Sequence, residues 1–233
     1  MTKILLTGAS RGIGAAARSA LSGSAVVLGQ ATRDGDGVVG VDLDAPGAAE
    51  SLWARAIEQL GEVDVLINNA GVFEANPVDG QDDDWLAGWE RTMRINLTAA
   101  AQLCRFAVRH WRERGVGGRV VNVASRAAHR GDSPSHWHYA ASKAGMVAMT
   151  KTIARAYAKE GIMAFAICPG FTMTGMAEDY LASRGGDKLL ADIPLGRVAM
   201  PDEVGEMIRW LALDAPESMT GAILDVNGAS YVR

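Results

Sequence analysis

Short apolar runs alternate with amphipathic stretches along the whole chain, and this alternation constrains the fold most. The runs are apolar throughout, as in Lys3–Thr7 (KILLT), Val63–Asn68 (VDVLIN) and Met163–Pro169 (MAFAICP). Strands of this kind are typical of parallel sheets that are covered on both faces. Because helical patterns separate them, the expected architecture is a doubly wound α/β fold with right-handed crossovers.

The other expected elements continue the strand–helix order. Further strands are expected at Ala25–Gly29, Val38–Asp42, Arg119–Ser125 and Ala222–Val226. Helices are expected at about Ile13–Leu21, Ser51–Leu60, Trp89–Arg114, His138–Glu160 and Pro201–Leu213. No Pro- or Ser-rich linker and no internal repeat interrupts them, so residues 1–233 are predicted to form a single domain. The segment at about 171–194 breaks the pattern, and a long irregular segment after a strand predicts a substrate lid.

Composition excludes several classes of function. The chain has 233 residues, a net charge of −4 and no basic run, which argues against a nucleic-acid partner. No signal-peptide pattern and no apolar run long enough to span a membrane is present, so a cytoplasmic protein without membrane contact is expected. Cys104 and Cys168 are far apart in sequence and are expected to be buried free thiols.

A glycine-rich turn, Thr7–Gly14 (TGASRGIG), lies between the first strand and the first helix. Glycines there permit a tight turn and close approach of a phosphate to the backbone. The free N–H groups of the helix N-terminus would then face that phosphate. The placement predicts a dinucleotide site, and a glycine turn without a ligand is the alternative.

Tyr139 and Lys143 are four residues apart on a predicted helix and therefore lie on one face. A phenol has a pKa of about 10, and a neighbouring ammonium group is expected to lower it. Lowering that pKa to about 7 requires roughly 4 kcal/mol. Alone, the pair also arises by chance on solvated helices.

Taken together, these motifs resemble the short-chain dehydrogenase/reductase family, and most closely its 3-oxoacyl-carrier-protein reductase group. The resemblance covers essentially the full length and is carried by landmarks in family order: Thr7–Gly14, Asp42-Leu43, Asn68–Gly71, Asn96, Ser125, Tyr139 with Lys143, Pro169-Gly170, Thr172 and Thr174. It implies a Rossmann-type sheet with helices on both faces, a nicotinamide cofactor, a small carbonyl or alcohol substrate, and a homodimer or homotetramer.

The resemblance also implies the catalytic roles. Ser125 is expected to hydrogen-bond the substrate oxygen, and Tyr139 to exchange a proton with it. Lys143 is expected to lower the pKa of Tyr139 and to bind the nicotinamide ribose. Asn96 is expected to hold a water that relays protons, with a surface asparagine as the alternative.

The expected cofactor-binding residues extend over the whole carboxyl edge of the sheet. They are Gly8, Ser10, Arg11, Gly12, Ile13, Gly14, Arg33, Asp42, Leu43, Asn69, Ala70, Gly71, Tyr139, Lys143, Pro169, Gly170, Thr172 and Thr174. In this resemblance Asp42 meets the adenine amino group, and Thr172 and Thr174 cover the nicotinamide carboxamide. A capped turn at Asp42 and an ordinary post-proline turn at the threonines are the alternatives.

The choice between NADP(H) and NAD(H) depends on the end of the second strand. NAD-preferring relatives have an acidic residue there, whereas this chain has Gln30 followed by Ala-Thr-Arg. Arg11 and Arg33 are candidates for pairing with a 2′-phosphate. NADP(H) is therefore favoured, NAD(H) stays possible, and Arg11 as a solvated turn residue is the alternative.

His129, His136 and His138 cluster near the catalytic pair but lack acidic or cysteine companions at metal-binding spacings. No metal is expected, and the histidines are interpreted as pocket walls or loop residues. The leading function is an NADP(H)-dependent carbonyl reductase or alcohol dehydrogenase. An NAD-dependent dehydrogenase of a small polyol or sugar and a non-catalytic cofactor-sensing regulator are the alternatives, while substrate and direction stay open.

Overall fold

Seven parallel strands form one sheet in the computed structural model, which describes residues 1–174 and 190–233. The strands are β1 Thr2–Leu6, β2 Ala25–Ala31, β3 Val38–Gly40, β4 Val65–Asn68, β5 Gly118–Val123, β6 Ile162–Pro169 and β7 Ile223–Val226. Their order across the sheet is β3-β2-β1-β4-β5-β6-β7. The predicted doubly wound parallel sheet is confirmed.

Helices connect the strands and cover the sheet. They are α1 Gly12–Leu21, α2 Ala48–Leu60, α3 Asp82–Met93, α4 Ala99–Arg114, α5 Ala127–Arg130, α6 Trp137–Tyr157 and α7 Pro201–Leu213. A π-helical turn at Arg94–Thr98 joins α3 to α4 without a break, and short 3₁₀ turns lie at Ala158–Glu160 and Glu217–Met219.

Two apolar cores lie on opposite faces of the sheet. Leu66 and Val120 belong to the core beneath α2, α4 and α6, whereas the next residues, Ile67 and Val121, belong to the core beneath α1 and α7. Successive side chains of a strand point to opposite faces. Because both faces are covered here, most strand residues are apolar, which explains the apolar runs in the sequence.

Two expectations about the helices were wrong. The long helix begins at Asp82, not at Trp89, because Asp82, Asp83 and Asp84 form its first turn, where carboxylates face the positive end of the helix dipole. A short helix, α5, lies between β5 and α6, where no helix was expected. The remaining bounds differ by at most three residues.

Most of the predicted lid, about 171–194, lies outside the described residues. The part that is described places Phe171 and Met173 against Leu190, Ile193 and Val198 in a small apolar cluster. No helix within residues 1–174 and 190–233 is long and apolar enough to cross a membrane.

Candidate active site

The carboxyl ends of β1 and β4 form the centre of the candidate site. The chain runs from β1 outward to β2 and β3, then returns to the other side of β1 as β4. Such a reversal leaves a crevice between the two strand ends, where ligands bind in open α/β sheets. The glycine turn follows β1 and the Asn68–Gly71 segment follows β4, so the two motifs face each other across this crevice.

Gly8 and Gly14 bring the two sides of the crevice into close contact. Gly8 has φ +67°, and a Cβ there would lie 2.8 Å from Ala70 Cα. A Cβ on Gly14 would lie 1.9 Å from the Gly8 carbonyl oxygen and 2.6 Å from Asn69 Nδ2. Because no side chain fits at either position, the turn can hold the backbone of α1 close to a bound pyrophosphate.

Polar contacts hold this turn in place. Asn69 Nδ2 donates to the carbonyl oxygens of Thr7 (3.1 Å) and Gly8 (3.0 Å). Thr7 Oγ1 accepts from the backbone N–H groups of Asn69 and Ala70, each at 3.0 Å. The Asn-Asn-Ala-Gly segment therefore fixes the glycine turn.

The N-terminus of α1 is open to an anion. Arg11 is the N-cap residue but makes no side-chain cap, and no acidic residue lies in the first turn. The first N–H groups of a helix need partners and carry its positive dipole end. Ser10 and Arg11 are exposed, and Gly12 and Ile13 are half-buried, so this part of the turn is open to solvent.

Gln30 is a structural residue and not a ribose ligand. It is only 3 % exposed. Its Oε1 accepts from Gly8 N at 2.9 Å, and its Nε2 donates to the Val41 carbonyl oxygen at 2.6 Å. The glutamine thus ties the glycine turn to the segment after β3, a role that its position near the strand end did not indicate.

Two arginines that are candidates for binding a phosphate follow β1 and β2. Arg11 and Arg33 are exposed and have no side-chain partner within the described residues. Asp34, the acid nearest to the end of β2, is already engaged: its Oδ1 accepts from Gly40 N at 2.7 Å and from Arg55 at 3.1 Å. Its pKa is lowered by these same two bonds.

Asp42 and Leu43 follow β3 at this end. Leu43 is buried and belongs to the core under α2. Asp42 is exposed, and its Oδ1 accepts from Asp44 N at 3.0 Å, which is the capped turn considered as the alternative. That bond leaves its second oxygen available.

Ser125 and Tyr139 meet in space, as the catalytic hypothesis requires. Ser125 lies close enough to the Tyr139 phenol to lower its pKa, and Ser125 Oγ accepts from Ala127 N at 3.1 Å. Ser125 lies just beyond β5, and Tyr139 lies in the first turn of α6. A buried chain from Asn68 through Asn122 to Thr150, with bonds of 2.9 and 2.8 Å, aligns β4, β5 and α6.

Lys143 faces the sheet and not the phenol oxygen, and the expected direction of the tyrosine pKa is wrong for the protein alone. Lys143 Nζ donates to the Val123 carbonyl oxygen at 2.8 Å and lies 5.9 Å from the Tyr139 ring centroid. Burial raises the pKa of Tyr139 to about 12, although the Ser125 bond lowers it. Burial lowers the pKa of Lys143 to about 8. Loss of hydration is therefore the largest cause of both shifts.

Without cofactor, Tyr139 should ionise later than an ordinary tyrosine. We expect the tyrosinate absorbance that is present in the wild type and missing in Tyr139→Phe to develop only above about pH 10, the usual tyrosine value. The raised pKa means that the neutral phenol persists as the pH rises. The difference in absorbance between the two proteins, followed as the pH is raised, measures this. A tyrosinate signal that the variant lacks and that develops below pH 9 would contradict the expectation.

Asn96 lies in the π-helical turn and is fully buried, so it is not the surface asparagine of the alternative. Its Oδ1 accepts from Val72 N at 2.8 Å, and its Nδ2 donates to the Val72 carbonyl oxygen (3.0 Å) and to Ser142 Oγ (3.3 Å). A Cβ on Gly71 would lie 3.3 Å from Asn96 Oδ1 and 3.5 Å from Lys143 Nζ. Asn96 therefore reaches the same small region as Lys143, as π-turns often do at functional sites.

The segment after β6 closes the opposite wall. Pro169 and Thr172 are buried, and Thr172 Oγ1 donates to the Gly170 carbonyl oxygen at 3.2 Å. Thr174 lies over the glycine turn, since a Cβ on Gly12 would be 3.0 Å from its Cγ2. The fold thus brings the glycine turn and the threonines that follow β6 together, although they are far apart in the sequence.

Aromatic rings surround the tyrosine, and sequence reasoning missed one of them. Phe73 stacks on His136 at 3.9 Å between ring centroids and meets Tyr139 edge-on at 4.7 Å. His136 Nδ1 is 2.6 Å from Ser133 Oγ, and His138 is buried against the Glu74 backbone. These contacts agree with the interpretation of His136 and His138 as wall and loop residues. The only sequence signal for Phe73 was its place just after Asn-Asn-Ala-Gly.

His129 has a cysteine and an aspartate near it in space, although neither lies at a metal-binding spacing in the sequence. Its ring lies near Cys168 Sγ (3.7 Å from Nε2) and near Asp225, with ligand atoms all within 4.8 Å of one another. Asp225 is paired with Arg233 at 3.0 Å, and burial raises the pKa of the Cys168 thiol to about 11. A neutral thiol and a paired carboxylate make this a closed polar cluster, and the absence of a metal stays a prediction.

Comparisons with known proteins agree with this geometry. The family model described as enoyl-(acyl carrier protein) reductase matches residues 8–229. The chain is 36% identical to a cis-4-hydroxycyclohexanecarboxylate dehydrogenase of Sinomonas cyclohexanicum, with 96% of this chain and 94% of that protein covered. It is 31% identical to the 3-oxoacyl-acyl-carrier-protein reductase of Escherichia coli, with 98% and 96% covered.

A solved structure has the same fold over the whole chain. It is the crystal structure of a candidate 2-deoxy-D-gluconate 3-dehydrogenase from Agrobacterium tumefaciens with bound NADP, with a TM-score of 0.88, 28% identity, and coverage of 100% of this chain and 97% of that one. The fold and the full-length matches lead to one conclusion. The chain belongs to the short-chain dehydrogenase/reductase family and is an NAD(P)-dependent oxidoreductase that acts on CH–OH or C=O groups.

Proposed function

We propose that this protein interconverts a carbonyl compound and a secondary alcohol with NADP(H), and that Tyr139 is its general acid and base. The observation that carries the proposal is the proximity of Ser125 to Tyr139, whose pKa Ser125 lowers, beside the glycine-lined crevice. When bound, the cofactor supplies or accepts the hydride. The residues of this chain hold the reactants and move the proton.

The direction of proton transfer depends on the charge that develops on the substrate oxygen and on the protonation state of Tyr139. In reduction, the substrate oxygen accepts hydrogen bonds from Ser125 and Tyr139, and Tyr139 gives its proton to that oxygen as negative charge develops. The raised pKa keeps the phenol protonated at neutral pH, which suits reduction. In oxidation, Tyr139 takes the alcohol proton, so a positive charge from the oxidised nicotinamide is needed to lower its pKa.

Lys143 and Asn96 complete the proposed proton path. Lys143 is buried, and burial lowers its pKa to about 8. A group with such a pKa can lose and regain a proton near neutral pH. Asn96 Oδ1 and Lys143 Nζ both lie at the position of Gly71. We place Asn96 as a positioning residue that orders this region, with its amide fixed by Val72 and Ser142.

The residues of the crevice fit a nicotinamide dinucleotide. Glycines without room for a Cβ, an uncapped helix N-terminus and the Asn69 contacts would hold the pyrophosphate. Thr172 and Thr174 would cover the nicotinamide, and Asp42 and Leu43 the adenine. NADP(H) is favoured because Arg11 and Arg33 have free guanidinium groups while Asp34 is already paired.

Arg11→Ala should weaken NADPH binding by about 10- to 100-fold and NADH binding much less, because a charge-assisted bond to a phosphate contributes about 1.5–3 kcal/mol. Arg155→Ala, which removes an exposed arginine on α6, controls for the change in net charge. Fluorescence titration of both cofactors measures the constants. Equal losses for NADPH and NADH would contradict the role of Arg11 in the 2′-phosphate site.

A panel of paired ketones and alcohols, assayed with each cofactor by nicotinamide absorbance, tests the function. The Sinomonas and Agrobacterium relatives are named for secondary alcohols that carry a carboxylate, so hydroxy and oxo acids belong in the panel. Turnover with NADPH of at least one pair is expected. Tight cofactor binding without turnover of any compound would favour the cofactor-sensing regulator instead.

A further inference from the structure

Arg126 directly follows Ser125 and lies between the proposed catalytic residues and the described end of the lid. Its backbone N–H donates to the Pro169 carbonyl oxygen at 3.0 Å, which ties the end of β5 to the end of β6. Its guanidinium carbon lies 5.3 Å from the centroid of the Phe171 ring. Because consecutive Cα atoms are about 3.8 Å apart, the backbone of Arg126 lies beside that of the proposed catalytic Ser125.

The Nη1 atom of Arg126 is buried without a hydrogen-bond acceptor among the described residues. Arg126 is only 8% exposed, and its buried Nη1 donates to no described atom. The nearest carboxylate oxygen, Asp192 Oδ2, is 3.7 Å from Nη1, which is too long for a hydrogen bond. That oxygen already accepts from Arg130 Nη1 at 2.8 Å. Buried charges are normally paired because loss of hydration costs several kcal/mol.

The charges around Arg126 suit one added negative charge. Asp192 is half-exposed and is shared by Arg130 at 2.8 Å and Arg126 at 3.7 Å, so two cations face one carboxylate. Asp132 is exposed, and its Oδ1 accepts from Ser133 N at 2.8 Å, so solvent screens its attraction for Arg126. Burial and the nearby Arg130 lower the pKa of Arg126, but an arginine stays charged at neutral pH.

We infer that Arg126 binds a carboxylate of the substrate, so that the enzyme acts on oxo acids and hydroxy acids. The inference rests on the proposed function. A guanidinium matches a carboxylate in shape and charge and binds it through parallel N–H···O bonds. The Phe171 ring beside it offers an apolar surface to the carbon skeleton between the carboxylate and the reacting carbon. Arg126 is therefore a specificity residue, while Ser125 and Tyr139 act on the oxygen.

The test compares an acid with its neutral amide. 4-Oxocyclohexanecarboxylate and 4-oxocyclohexanecarboxamide have nearly the same shape, and other oxo acids of the panel are paired with their amides in the same way. In the wild type, kcat/KM should be higher for the acid. In Arg126→Gln, the acid should lose about 10- to 100-fold, mainly through KM, because a hydrogen bond to a charged group is lost. The amide should change by less than about threefold, and Arg126→Lys should recover part of the loss.

Two variants separate this role from a structural one. Arg155→Gln removes an equal charge from an exposed position on α6 and should leave the acid-to-amide ratio nearly unchanged. Asp192→Asn removes the nearest carboxylate and should leave binding of the acid unchanged or stronger. If Arg126 were only a partner of Asp192, Asp192→Asn would reproduce the losses of Arg126→Gln, and the inference would be wrong.

Thermal unfolding gives a readout that does not depend on turnover. Burial of a charged group costs free energy when its donors lack hydrogen-bond acceptors, as for Arg126 Nη1. The Tm of Arg126→Gln should therefore be equal to or above that of the wild type. A clear fall in Tm together with equal losses for acid and amide would show a structural arginine and would overturn the inference.

Calorimetry separates failure of the inference from failure of the proposed function. Cyclohexanecarboxylate should bind the NADP-loaded wild type more tightly than cyclohexanecarboxamide, and Arg126→Gln should abolish the difference. If this holds but no compound is turned over, the proposed reaction fails and the anion site stands. If turnover is found with no preference for acids in rate or binding, the reaction stands and the anion site is refuted.

Discussion

Tyr139→Phe should lower turnover by about 10²- to 10⁴-fold, the range that general acid–base catalysis contributes. The variant removes one oxygen, which lies near Ser125. The ring should keep its edge contact with Phe73 and its place in α6, so the fold and cofactor affinity should change little. A loss confined to kcat, with cofactor affinity within about twofold, would identify the phenol as the proton-transferring group.

Tyr157→Phe is the matched control, because it removes the same atom from the other end of the same helix. The Tyr157 ring contacts Arg112 and lies far along α6 from the crevice, so turnover should stay near the wild-type value. Steady-state rates in both directions and cofactor titration of both variants complete the experiment. Tyr139→Phe with more than about a tenth of wild-type turnover would remove Tyr139 from the proton step.

Gly14→Ala should destabilise the protein by about 3 kcal/mol and weaken NADPH binding by more than about tenfold, since overpacking costs about 1–3 kcal/mol and occasionally more. The added Cβ would lie 1.9 Å from the Gly8 carbonyl oxygen. Helix propensity alone predicts the opposite sign, a gain of about 1 kcal/mol for Ala over Gly. The sign of the change therefore decides between a collision and a propensity effect.

Gly145→Ala is the control for Gly14→Ala. Gly145 lies within α6, and its Cβ would approach the ends of the Leu97 side chain, with 2.7 Å to Cδ2. A methyl group can move aside where a backbone oxygen cannot, so we expect a change within about 1 kcal/mol. Urea unfolding and cofactor titration measure both variants. Equal small effects at the two positions would show that the turn can relax and does not need glycine at position 14.

Elements whose pattern depends on their own residues were predicted well from the sequence. Helix α7 was placed at its observed bounds, Pro201–Leu213, because Pro at the first helical position and an apolar periodicity are local signals. The strands were recognised because burial on both faces leaves an apolar run in the sequence. The π-turn at Arg94–Thr98 was missed because it depends on contacts of Asn96 with Val72, a residue in a distant loop.

Some features of the candidate site could be predicted from local sequence patterns, and others depend on the whole fold. Glycine spacing and the Tyr139/Lys143 pair are short-range patterns, and the structure brings their residues together at one edge of the sheet. Burial is a property of the whole fold, and it reversed the expected direction of the tyrosine pKa. No pattern distinguishes Arg126 from a solvated arginine, and no spacing joins His129 to Cys168 and Asp225.

The sequence alone determined the strand–helix order, the family landmarks and the residue types available for hydride and proton transfer. These depend on periodicity, turn chemistry and motif spacing, all of which act over a few residues. The tertiary structure alone decided that Gln30 locks the glycine turn, that Lys143 faces Val123, and that Arg126 is buried beside Phe171 without an acceptor. The physical reason is that hydration and pairing of a polar group depend on every element packed around it, and those elements come from distant parts of the chain.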